Sequence, residues 1–178
     1  MKSVLRYTAA GLALATLGFA SAAQAADGTA DATAEILSTL TVTAATNDDT
    51  LDFGKISPTP TLVANSTVTV APNGTATCGV NLACSGTANA PTFNVAGLVN
   101  SVVAVSFPSA TSSLVLVSGT APSGFQGTMT VGSFTTSASS LTLVAGNNPF
   151  TVGGTLTVAP LQAPGVYAGT FDVQVLYN

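Results

Sequence analysis

Residues 150–158 read Phe150-Thr151-Val152-Gly153-Gly154-Thr155-Leu156-Thr157-Val158. Phe150, Val152, Leu156 and Val158 take alternate positions, and Thr151, Thr155 and Thr157 lie between them. Side chains alternate faces along an extended chain, so this is a strand with one apolar and one hydroxyl-bearing face. The Gly153-Gly154 pair predicts a bulge or a close backbone approach at its middle.

Outward from this strand the period of two persists, and no twelve-residue segment carries the i, i+3, i+4 stripe of an amphipathic helix. Downstream, a Pro164-Gly165 turn precedes a strand predicted over Val166 to Tyr177. It turns Tyr167, Phe171, Val173, Val175 and Tyr177 inward and Thr170, Asp172 and Gln174 outward. Upstream, strands are predicted over Leu141 to Val144, Gly127 to Val131, Leu114 to Val117, Val102 to Phe107 and Thr92 to Ala96. Ser66 to Ala71 is another, followed by an Asn73-Gly74 turn, and Leu51 to Ile56 is a short one before the Pro58 and Pro60 breakers. Thr29 to Ala44 reads as a long first strand, with Ala34, Ile36, Leu40 and Val42 on one face and Thr39, Thr41 and Thr43 on the other. Seven to ten short strands without a helix predict an all-β protein, an antiparallel Ig-like β-sandwich, with a closed β-barrel as the alternative.

Lys2 and Arg6, an apolar run from Tyr7 to Ala20, and Ala23-Gln24-Ala25 read as a signal peptide over residues 1–25. An N-terminal strand over 26–46 and a sandwich domain over 47–178 complete the expected organisation. Without the leader, Lys55 alone stands against seven acids, a formal charge of −6. One cation cannot neutralise a phosphate backbone, so nucleic acid is set aside as a partner. No later run of 18 apolar residues suggests a transmembrane segment, and the product is expected to be secreted, to the periplasm or the bacterial cell surface.

Cys78 and Cys84, in Cys78-Gly79-Val80-Asn81-Leu82-Ala83-Cys84, are expected to form a disulfide in an oxidising compartment. The spacing is not that of a redox pair, and without histidine or a third cysteine there is no zinc set.

Residues 56–171 are 116 in succession without Asp, Glu, Lys, Arg or His. Acid-base chemistry has almost nothing to work with, and no catalytic residue, cofactor or metal is assigned. Asp48, Asp49 and Asp52 read as a solvated turn in preference to a calcium loop. Pairing Asp52 with Asp172 as glycosidase carboxylates has no support, a Ser nucleophile would have no His beside it, and Lys55 reads as a solvent-facing strand end. Phe93, Phe107, Phe134, Phe150, Phe171 and Tyr167 are core candidates. Soluble β proteins protect sheet edges with charges, so edges without them predict pairing with another chain.

Thr50-Leu51-Asp52-Phe53-Gly54-Lys55-Ile56-Ser57, after an alternating first strand, resembles pilin-type subunits of the spore-coat U and archaic chaperone-usher group. So does the ending Pro164-Gly165-Val166-Tyr167-Ala168-Gly169-Thr170-Phe171. With Val152-Gly153-Gly154-Thr155-Leu156 added, the pattern is closer still to domain of unknown function family 4402. The pilin resemblance implies a sandwich lacking its last strand, completed by a neighbour's N-terminal extension, with Ala34, Ile36, Leu40 and Val42 as plugs. Such donation is head to tail and builds a fibre. It also implies a periplasmic chaperone and an outer-membrane usher as partners. Both cysteines lie later than the pilin bridge, so no pairing carries over from it.

Two functions are therefore expected. One is a non-enzymatic structural or adhesive surface subunit that self-associates or joins other surface subunits. The other is a stand-alone binding module for a glycan or surface protein, using loops at Asn73 to Ala90 or Ser118 to Gly127. The N-terminal strand is either donated or the first strand of its own sandwich.

Overall fold

The computed structural model describes residues 31 and 33–178. The leader assigned to 1–25, and residues 26–30 and 32 of the N-terminal segment, lie outside the described residues. The chain divides into Met1–Glu35 and Ile36–Asn178, and every described strand belongs to the second unit.

Thirteen strands are described: β1 (Thr41–Ala44), β2 (Lys55–Pro58), β3 (Ser66–Val70), β4 (Ala76–Cys78), β5 (Leu82–Ser85), β6 (Thr92–Ala96) and β7 (Val102–Ser106), then β8 (Thr111–Leu116), β9 (Thr128–Thr136), β10 (Ser140–Thr142), β11 (Asn148–Val158), β12 (Tyr167–Ala168) and β13 (Gln174–Tyr177). All strand pairings are antiparallel.

The glycine-paired strand is the spine. On one side, the Asn148 half of β11 pairs with β6, which pairs with β1, and the Val158 half pairs with β3, which pairs with β4. On the other side β11 pairs with β9, followed by β8 and β12. These eight strands form one curled sheet whose outer strands β1 and β12 do not meet, so the chain is a sandwich and the barrel does not close. Against the sheet pack the three-stranded β10-β7-β13 sheet and the β2-β5 ribbon.

Two apolar cores result. Towards the Val158 end, Phe53, Val68, Val70, Val131, Leu156 and Val158 are buried beneath the β2-β5 ribbon. Towards the Asn148 end, Val95, Val103, Leu143, Phe150, Val152 and Val175 are buried beneath the small sheet. Phe134 packs against both.

Both readings of Gly153-Gly154 hold. Thr155 pairs with Gly132 while Gly153 pairs with Thr135, so Ser133 and Phe134 oppose Gly154 alone, and the extra residue sits on β9 at Ser133 (φ 47°). A side chain at Gly153 would run into the Val70 carbonyl. The bulge also explains why β9 continues five residues beyond the expected Val131: the Gly132-Ser133 pair bends the strand without ending it.

Three expected strands differ most. Leu51 to Ile56 is observed as β2 at Lys55–Pro58, and Pro58, expected to break the strand, is paired with Leu82. Val166 to Tyr177 is not continuous. β12 pairs with β8 in the curled sheet, β13 pairs with β7 in the small one, and residues 169–173 cross between them. Inward parity survives the crossing: Tyr167, Phe171, Val173, Val175 and Tyr177 are buried or half-buried, and Thr170, Asp172 and Gln174 are exposed. Of Thr29 to Ala44, only Thr41–Ala44 is a described strand, because the described residues before it have no neighbouring strand to pair with.

Candidate functional site

β1 is an edge strand of the curled sheet and β13 an edge strand of the small sheet. They border the same core, in which Leu40 and Val42 join Val173 and Tyr177 as half-buried members. In an antiparallel ladder successive residues turn their backbone groups to opposite sides. The Asn178 amide donates to the Val102 carbonyl, so Gln174 and Leu176 also face β7, and the N–H and C=O of Val175 and Tyr177 face outward. Likewise the Ala45 amide donates to Thr92, which turns the backbone of Val42 and Ala44 to the open side. The sandwich therefore has a seam between two unpaired edges.

The side chains expected to be donated divide at this seam. Leu40 and Val42 pack into their own chain's core, whereas Ala34 is exposed and Ile36 is 95 % exposed. Tyr177 marks the division, because its hydroxyl donates to the Ser38 carbonyl (2.9 Å) and accepts the Leu98 amide (2.8 Å).

Across the waist of the sandwich the phenylalanines form a row. Phe150 stacks on Phe93 (centroids 5.6 Å apart), Phe93 meets Phe171 edge-on (6.2 Å), Phe171 stacks on Phe134 (5.0 Å), and Phe134 tilts against Phe107 (5.4 Å). Only Phe150 is fully buried. A cleft of about 250 Å³ opens beside the row, with Leu51, Phe53, Phe93, Leu114 and Phe171 in its wall and Asp49 and Thr170 also lining it. Tyr167 is half-buried, with its hydroxyl donating to the Ala163 carbonyl (2.7 Å) and accepting from Gln162 Nε2 (2.8 Å).

The acids near the waist are tied to the fold. Asp48 accepts from Asn89 Nδ2 (2.7 Å) and from Thr92 Oγ1 (2.5 Å), and these bonds hold its carboxyl below the usual carboxylate range against a small opposing effect of burial. Asp52 accepts the Gly54 amide (2.8 Å) and its backbone pairs with Asn89. Asp172 and Lys55 are exposed.

Cys78 and Cys84 form a disulfide, Cα atoms 6.0 Å apart, tying β4 to β5. The expected Asn73 to Ala90 loop therefore contains two strands, β4 and β5, stapled to each other. Residues 118–127 do form a loop. Sequence reasoning did not find Asn148, a buried hub whose Nδ2 donates to Val95 O (3.0 Å) and Val144 O (3.1 Å) while its Oδ1 accepts the Val144 amide (2.8 Å). Its one signal was a polar pair, Asn147-Asn148, at the mouth of an apolar strand.

Among the described residues, no helix is long and apolar enough to cross a membrane. No curated protein and no solved structure matches the chain. Residues 40–177 match the family model described as a domain of unknown function (DUF4402), from the first core residue of the N-terminal segment to the tyrosine that anchors it. The chain belongs to that family.

Proposed function

We propose that this family member is a non-enzymatic structural or adhesive subunit acting outside the cytoplasm, at the bacterial cell surface, and that it self-associates by β-strand addition. One observation carries the reading: the β1-β13 seam presents two unpaired edges over one apolar core without a charged residue in either strand. An entering strand would gain backbone hydrogen bonds and bury alternate side chains. The donor is the segment ahead of β1, whose Ala34 and Ile36 stand free while Leu40 and Val42 serve their own core. Partners are other copies or other surface subunits, escorted by a periplasmic chaperone and an outer-membrane usher.

The test is sedimentation of the mature chain beside a form lacking residues 26–39, which keeps β1. The truncated form should stay folded, lose self-association and bind a peptide spanning residues 26–39. Undiminished association after truncation, or no binding of the peptide, refutes strand donation.

A second reading, a stand-alone module for a glycan or surface protein, is favoured by the aromatic-walled cleft. Chemical-shift changes confined to Phe93, Leu114 and Phe171 on adding glycans to a monomeric protein would support it over the first.

A further inference from the structure

We infer that the cleft at the waist binds a small quaternary ammonium cation, a trimethylammonium group on a short neutral stem. The inference goes beyond both readings above and rests on the second only for its premise that this cleft takes a ligand.

The cleft lies where the chain changes sheets. Residues 169–173 cross from β12 to β13 outside any strand. Between the start of that crossing and the stretch from Asp49 to Phe53, the inward-facing Leu114 of β8 and Val131 of β9 line an opening of about 250 Å³. Both sides are held in place. Ser112 Oγ donates to the Thr170 carbonyl, and Gly169 lies so close to the Ser113 carbonyl that no side chain fits there. Opposite, Asp52 and Asn89 exchange backbone bonds, and Asn89 Nδ2 donates to the Thr50 carbonyl (3.1 Å). A cleft with fixed walls loses little entropy when filled.

Its walls are aromatic and its rim is anionic. Phe93 and Phe171 meet at 76° with centroids 6.2 Å apart and both line the cleft, so the two rings make a corner, to which Phe53 adds a third. Stacking on Phe150 and Phe134 fixes the corner. Aromatic faces attract a cation seated within about 6 Å of the ring centroid. Asp49, exposed at the rim, is the one charged side chain in the lining. The Asp48 carboxylate is taken up by Asn89 and Thr92, whereas among the described residues Asp49 accepts a side-chain bond from the adjacent Thr50 alone (3.2 Å). Lys55, the sole cation among the described residues, is exposed opposite Ser85 and does not line the cleft. Asp52 and Asp172 follow the lining residues Leu51 and Phe171 in sequence, so the field around the opening is negative and gathers cations.

The same lining selects among cations. A primary ammonium brings three N–H donors, and against phenyl rings and aliphatic side chains those donors lose their bonds to water without replacement. A trimethylammonium has no donor to satisfy, and its methyl groups bury against Leu114 and Val131. The volume lies below the roughly 300 Å³ at which pockets begin to hold drug-sized ligands, which limits the occupant to one small head group.

The test is saturation-transfer NMR of ligand protons with the mature chain, which reads binding to a monomer or an assembly alike. Choline should bind about tenfold more tightly than neohexyl alcohol, its uncharged carbon isostere, and more tightly than ethanolamine. Added salt should weaken choline and leave the isostere unchanged. Phe171→Leu keeps an apolar wall but removes the ring, and should weaken choline about tenfold. Asp49→Asn, at an exposed position, should weaken it about threefold with the melting temperature unchanged. Should Phe171→Leu unfold, Asp49→Asn and the isostere carry the test. Equal binding of choline and neohexyl alcohol, ethanolamine as tight as choline, or choline affinity unchanged by the substitutions overturns the inference. No transfer to choline, with transfer to a glycan that Phe171→Leu abolishes, refutes the ammonium and leaves the binding-module reading standing; silence from both removes both.

Discussion

Tyr177 and Ser38, 139 residues apart, meet through a hydrogen bond from the tyrosine hydroxyl to the serine carbonyl. The same oxygen receives the Leu98 amide, so one phenol ties the last strand, the loop after β6 and the point where the N-terminal segment leaves the sandwich. Tyr177→Phe removes the acceptor and the donor together. A loss of about 1 kcal/mol in unfolding free energy is expected, with faster amide exchange at Leu98 and from Ile36 to Leu40. Exchange unchanged at those positions would contradict this role.

Gly153→Ala should be among the most damaging small substitutions, since its methyl group meets the Val70 carbonyl, which is part of the β3-β11 ladder and cannot rotate aside. A destabilisation of about 2–3 kcal/mol is expected from overpacking against backbone, read from denaturant midpoints.

Asp48 makes stability depend on acid. Its folded pKa lies below the unfolded value because Thr92 and Asn89 bond the ionised form. Its contribution is therefore present above about pH 4, the unfolded carboxylate range, and is lost as pH falls through the folded pKa. Thermal melts between neutral pH and pH 2 should show the wild-type midpoint falling more steeply than that of Asp48→Ala. Parallel curves would remove the claim.

The Cys78–Cys84 loop is short, so opening it should cost only about 2 kcal/mol and leave both cores intact. The protein purified without reductant should be two hydrogens lighter than its reduced form by mass spectrometry. Cys78→Ala with Cys84→Ala should still fold, with exchange rising in β4 and β5 first.

Much of the architecture was legible locally. Alternation marked β3, β6 and most of β7 and β11 with nearly correct limits, because their side chains face a core on one side and water or a hydroxyl layer on the other. β4 and β5 were missed. Ala76–Cys78 is exposed throughout, so no alternation of hydrophobicity announced it. Of the candidate association surface, the inward-facing residues of β1 and β13 were readable from parity, and their open edges were not.

The sequence by itself determined that the chain is all-β, which residues point inward along each strand, that a bulge or close approach lies at Gly153-Gly154, and that charge is almost absent after Lys55. Each of these follows from local pattern or composition. Only the tertiary structure decided that the last strand serves two sheets, and that Leu40 and Val42 enter their own core while Ile36 does not. Those outcomes depend on which distant backbone supplies the hydrogen bonds. Side-chain periodicity records the face a residue occupies and carries no information about the strand beside it.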